Sequence, residues 1–305
     1  MSVNNLPELG LVCVTASEEV RFRTVSRRAL AKLSPIEKQN RLRSIYAANV
    51  ARLAKAIAFC CRVKIRLYRL HWGLFPFADN SLGQNILEEF AGELQEIGTI
   101  ARKSAIRLVL QPSQFIVLNS NHTHVIDNSI RMLKTHARIL DLLGLPHSPW
   151  ASINIHGGKS DRSKKLIENI KQLPTNIYSR LTLKNDEHSY SGKAIAQICQ
   201  ICEIPMVFNA HHHLVHERLA SYDDVSTEAI YRLAQTTWQQ PQWQLVQIAN
   251  GREHTYDTKH GDLITKMPSC FKNAPWIEVE AKQKEAAIFE LRKELRQSKT
   301  KIKTA

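Results

Sequence analysis

The side chains in this 305-residue chain that could do chemistry stand where apolar runs end. His156 closes "ASINIH", Lys184 to Glu187 close "LTLKNDE", and Asn209 with His211, His212 and His213 closes "PMVFNAHHH". Arg69 and His71 follow "VKIRLYRL", Gln111 and Gln114 follow "IRLVL", Gln247 and Asn250 close "WQLVQIAN", and Glu280 closes "WIEVEA". Neutral imidazole beside carboxylate suits manganese, iron or zinc. A metal site would want a carboxylate as the first polar residue after the fifth run, and the residue there is Lys184.

The elements that must position these groups follow from the runs themselves. Eight short apolar or β-branched stretches begin at Leu9, Val63, Ile106, Ala151, Leu181, Pro205, Trp243 and Trp276. Between them lie patterns such as "NSIRMLKTHARILDLLGL", with apolar residues three and four apart, the period of a helix packed on one face. Eight strand-then-helix units predict an α/β protein, a single (β/α)8 barrel, and barrel sites sit at the C-terminal ends of the strands. The domain is expected over residues 1–290, with 291–305 a basic C-terminal tail into which the last helix frays.

With 43% hydrophobic residues the chain can bury a sizeable core. It lacks both a basic and apolar leader and any run of about 18 consecutive apolar residues, so an intracellular, cytoplasmic protein without a membrane partner is expected. Six scattered cysteines suit reduced thiols, and Cys199 and Cys202 lie in an apolar helical pattern with no second pair to complete a zinc site. The net charge of +14 points to a polyanionic partner, nucleic acid first. Arg69, Trp72, Phe75 and Gln114 could supply the phosphate contacts and stacking surfaces that such binding needs.

Longer stretches, in order, resemble the UV-damage endonuclease family, repair enzymes that nick DNA 5′ to photoproducts with a cluster of divalent metals, commonly manganese. "LYRLHWGLFPFAD" is similar to the family's YRxSSxLFP, "QPSQFIVLNS" to HPGQFxxLNS, "LTLKNDEHSYS" to LxLENDD, "MVFNAHHH" to VFDxHHH, "KHGDLI" to AHxDYI and "WIEVEAKQKEAAI" to EAKxKExAL. The resemblance implies metal ligands at His156, His212, His260 and Glu280. It also shows departures: Gln111 and Gln247 stand where the family carries histidine, Lys184 where it carries glutamate, and Asn209 where it carries aspartate. Leu245 replaces a lysine, and Leu11 a tyrosine that the family uses with the glutamine at Gln114 to probe the lesion. His71 and Trp72 replace two serines, so the tryptophan either stacks on DNA or fills space that an ion would have occupied.

Carboxamides are weak donors to a transition metal, and a lysine repels one. The resulting expectation is a monomeric DNA-repair protein that binds duplex DNA, UV-damaged duplex included, at the barrel mouth with nicking weakened or lost. It holds at most about one divalent ion, manganese by the resemblance, and Lys184 acts as a surrogate cation for Glu280, with Asn209, Gln111 and Gln247 completing the altered site. One alternative is an active endonuclease with a variant site. Another is a small-molecule isomerase on the same barrel, disfavoured by the charge and by the retained DNA-side motifs.

Overall fold

The computed structural model describes residues 6–17 and 19–303, without the side chains of residues 299–303. Eight parallel strands close into one barrel in sequence order: β1 (Glu8–Val12), β2 (Leu67–Leu70), β3 (Arg107–Leu110), β4 (Ile153–His156), β5 (Leu181–Lys184), β6 (Met206–Asn209), β7 (Leu245–Ile248) and β8 (Trp276–Val279). All eight expected strands are present. Three begin two or more residues later than the apolar runs do, β4 after the 3-10 turn Pro149–Ala151 and β2 and β7 for similar local reasons. Val63 caps the helix Pro35–Arg62 and Lys64 takes a left-handed conformation (φ 55°), so extended chain resumes only near Leu67. Pro241–Trp243 forms a short 3-10 turn that delays β7.

Side chains alternate in and out along a strand, and that parity builds the site. In the barrel interior Leu67, Val109, Val207 and Leu245 form one apolar cluster with Trp238. Two residues further along the same four strands stand Arg69, Gln111, Asn209 and Gln247, so an apolar lower layer carries a polar upper one. Gly10 fits the interior because a β-carbon there would lie 2.5 Å from Leu67. Its neighbours Leu9 and Leu11 therefore face outward into the main core between barrel and helices.

The helix Pro35–Arg62 starts with a reciprocal cap, Ser34 with Glu37, and a proline in its first turn. It is long and apolar enough to cross a membrane by composition alone, but Leu42, Ile45, Leu53 and Ile57 are buried in the barrel's own core. At the other end of the chain, the helix Lys284–Lys303 runs across residue 290 without a break. Leu291 and Leu295 are buried in the core, so a tail from 291 is corrected to a packed helix. Residues 304–305 of the expected tail lie outside the described residues.

Candidate active site

The upper layer brings together Arg69, Gln111, His156, Lys184, Asn209, His212, Gln247, His260 and Glu280 at the C-terminal mouth. Its centre is a closed set of hydrogen bonds. Gln111 Oε1 accepts from Arg69 Nη1 (2.8 Å) and Gln247 Nε2 (2.9 Å), with Asn154 Nδ2 at 3.5 Å. Asn209 Nδ2 donates to Gln247 Oε1 (3.2 Å) and to Glu280 Oε2 (3.1 Å). Arg69 spans two carboxylates, Nη2 to Glu280 Oε1 at 2.7 Å and Nη1 to Glu278 Oε2 at 3.3 Å. Gln247 Nε2 also donates to Glu278.

Lys184 points inward and is only 2% exposed. It forms no ion pair with Asp186 or Glu187 among the described residues. Asp186 instead shapes its own loop by accepting from the backbone of His188 (2.8 Å) and Ser189. The outward-turned alternative is thereby removed. Burial pushes the Lys184 ammonium below its ordinary value, and Glu280 opposes that fall. Burial acts to raise Glu280, but Lys184 first and Arg69 next outweigh it and hold the carboxyl well below the usual range. Two cations, Arg69 and Lys184, thus face two carboxylates, Glu278 and Glu280, with no ion needed to balance them.

The three successive histidines separate because residues on a helix point about 100° apart. His211 is occupied on both ring nitrogens, by Tyr222 Oη (2.7 Å) and the Asp257 carbonyl (2.8 Å). His213 reaches Ser226 Oγ at 3.1 Å. Only His212 faces the site. Asn209 caps its helix, accepting from the His212 backbone at 3.0 Å, and the Asn185 carbonyl holds His212 Nδ1 at 3.0 Å, leaving Nε2 toward the centre.

One group of ligating atoms, from His212, His260 and Glu280, lies within 4.8 Å of one another. This donor set fits one divalent ion. His156, the fourth expected ligand, stands outside this trio, its ring stacked beside His212 at 6.1 Å between centroids. Burial, then the Lys184 charge, pushes the His156 imidazole down to about 3 and His212 well below the ordinary value. Burial also lowers His260, with Glu280 opposing.

Of the expected DNA contacts, Phe75 leaves the mouth while Arg69 lines it with its guanidinium already engaged. Phe75 is buried and packs edge-on against Tyr46 at 5.0 Å, so it is core. Arg69, 7% exposed, is committed to the carboxylates. Leu11 lies outside the barrel wall and neither occupies nor obstructs the mouth. Trp72 is 49% exposed and stacks on His71 at 5.8 Å, at the rim and not in the centre, so it does not fill an ion's place. It lines a cleft of about 360 Å3 with Arg69, Gln111, Gln114, His156 and Phe115. Phe115, 72% exposed, is the rim aromatic that sequence reading missed; its signal was an apolar residue beside Gln114 in a loop after a strand. A second cleft, about 330 Å3, runs from His260 past Arg252, Lys259, Lys282 and Lys284. Glu278 was also missed, although it lies two residues before Glu280 and so shares its face.

The fold and site define a (β/α)8 barrel with a histidine and carboxylate cluster at its mouth. The chain belongs to the UV-endonuclease UvdE family, whose description it matches over residues 7–305. It is 50% identical to a UV DNA damage endonuclease of Nostoc sp. over 95% of this chain and 90% of that one. It is 43% identical to a protein of the same name from Deinococcus radiodurans, over 94% and 95% of the two chains. The crystal structure of SacUVDE, 23% identical, shares the fold with a TM-score of 0.79 over 96% of this chain and 99% of that one.

Proposed function

We propose that this protein is a monomeric DNA-repair member of its family that binds duplex DNA, including UV-damaged duplex, across the barrel mouth and nicks it weakly or not at all. The observation that carries the reading is the closed network of Gln111, Asn209 and Gln247 with Arg69, Glu278 and Glu280, beside a buried Lys184. Amides that hydrogen-bond one another leave few lone pairs for a cluster of ions, and two built-in cations oppose a dication entering it. Lys184 and Arg69 stabilise Glu280 in the role an ion would otherwise take.

DNA affinity on this reading comes from the rim. Trp72 and Gln114, with Phe115 beside them, offer stacking and probing surfaces. Arg252, Lys259, Lys282 and Lys284 offer phosphate contacts alongside His260. A second reading is an active endonuclease with a variant site, and it is favoured by one observation, the convergence of His212, His260 and Glu280. A divalent ion there, with manganese the first to test, would polarise a phosphodiester and lower the pKa of bound water. In either case Asn185 orients His212.

The deciding experiment titrates irradiated and intact duplexes at two salt concentrations, with EDTA and with manganese, and follows nicking in parallel. Binding should persist in EDTA and fall steeply with salt. Strong manganese-dependent nicking that His212→Ala abolishes would establish the second reading instead. Binding that vanishes with EDTA, or no binding at low salt, would remove the first.

A further inference from the structure

A further cleft lies at the opposite end of the barrel from the site. It encloses about 980 Å3 between the start of β1, the turn before β2 and the far half of the helix Lys284–Lys303. Strands β1 and β2 begin there, whereas the site residues stand where strands end, so the two regions face opposite ways along the barrel axis. Among the described residues, five cations line the cleft, Lys64, Arg66, Arg292, Lys293 and Arg296, against one carboxylate, Glu8.

Lys64, Arg66 and Lys293 are exposed, and none of the three forms an ion pair among the described residues. Arg292 is fixed to the wall by donating to the backbone oxygens of Val63 (3.2 Å) and Lys64 (3.1 Å). Burial and, after it, the neighbouring Arg296 charge push the Arg292 guanidinium below its ordinary value, with Glu8 opposing. In the sequence Lys299, Lys301 and Lys303 follow, adding like charge to the same end of the chain.

The arrangement selects among anions. A single small phosphate is held by convergent, enclosed donors, but these donors are mostly exposed and strung along a helix. Arg292 and Arg296 are one turn apart, about 6 Å along the axis, which suits a row of phosphates. A membrane surface would call for an apolar face to insert, and among the described residues Phe289, 40% exposed, is the one large apolar side chain at this cleft that is exposed. We infer that this groove is a second nucleic-acid site, able to hold the backbone of one duplex segment independently of whatever the mouth holds.

The test is a lysine-acetylation footprint on the full-length protein, read by mass spectrometry with and without an intact duplex at low salt. Lys64 and Lys293 should be protected, and separately from Lys259 and Lys282 at the mouth. Arg66→Glu with Lys293→Glu should weaken this binding event tenfold or more and reduce its salt slope by about two, one for each lost phosphate contact. Retained protection at the mouth in that variant shows that it still folds. Protection of Lys259 and Lys282 alone overturns the inference. Protection of Lys64 and Lys293 alone supports it while sinking the mouth reading. Equal protection by polyglutamate of matched charge would make the groove a site for acidic proteins and overturn it as well.

Discussion

Reversing the charge at Lys184 tests the idea that this site is balanced by side chains in place of ions. Arg69 and Lys184 now face Glu278 and Glu280, and Lys184→Glu leaves one cation against three carboxylates, a deficit of two positive charges that one divalent ion would fill. Lys184 stands beside His156 in the β4–β5 register, and its charge reaches His156, His212, His260 and Glu280 alike. For an ion about 5 Å away at an effective dielectric of about 20, a lysine costs about 6 to 7 kcal/mol and a glutamate returns about as much. Relaxation, and the desolvation of a third carboxylate, will consume most of that. A gain in manganese affinity of at least about a hundredfold, about 2.7 kcal/mol, is a conservative expectation. Calorimetric titration measures it, with Lys184→Met as a neutral companion that should give a smaller gain and does not depend on the apo form tolerating three buried carboxylates. No nicking should accompany Lys184→Glu alone. Adding Gln111→His, Asn209→Asp and Gln247→His should raise metal content further and recover some cleavage of irradiated duplex. If neither Lys184 variant binds manganese better than the native protein, the charge argument fails.

Native mass spectrometry of protein purified with manganese should find at most about one ion per chain and none after His212→Ala, because one histidine and carboxylate set fills one coordination sphere; two tightly held ions would show that the amides act as ligands. Phe75→Ala should destabilise the fold by about 3–5 kcal/mol with unchanged DNA affinity of the folded protein, whereas Trp72→Ala should leave stability within about 0.5 kcal/mol and weaken DNA binding by about 1–3 kcal/mol; denaturant melts and anisotropy titrations separate the two. Burial pushes the His136 imidazole to about 4, below its unfolded value of about 6.5, so its contribution is complete above pH 6.5 and is lost as pH falls toward 4, by about 1.4 kcal/mol per unit. In EDTA, His136→Gln should flatten the pH dependence of unfolding across that window by one proton, and an unchanged slope would count against the assignment.

The barrel was legible because its two periods are written plainly: apolar runs of strand length, then helical patterns, eight times over. Its boundaries were less so, since a left-handed Lys64 and a 3-10 turn at Pro241–Trp243 interrupt runs that hydropathy alone continues. The mouth residues were legible for the same reason as the strands. Parity separates residues that motifs alone leave together: Arg69 is two residues beyond interior Leu67 and must share its face, while Leu11 is one residue from interior Gly10 and must not. Parity also puts Arg107 inside, two residues before Val109, and at the barrel floor it packs against Trp150 at 4.7 Å and Trp276 at 5.4 Å. Which of His211, His212 and His213 faces the site could not be read from spacing, because any of them may be turned inward until the helix is docked.

What no single position reveals is that the departures depend on one another. An amide both donates and accepts, and Gln111, Asn209 and Gln247 use that property to join Arg69, Glu278 and Glu280 into one connected set. An imidazole or a carboxylate at one of these positions cannot take over every bond. A histidine at 111 would offer at most one accepting nitrogen where Gln111 Oε1 now receives Arg69 and Gln247, stranding a buried donor at a cost of about 1–3 kcal/mol. An aspartate at 209 would set a third acceptor against Glu280 and Gln247 Oε1 where a donor now lies. Each reversion is therefore unfavourable while the others remain, and the Lys184 charge opposes the further ions that would reward the full ligand set. The amide network and the buried lysine form a second self-consistent solution to the same barrel mouth, in which hydrogen bonds and fixed cations hold Glu280 ionised.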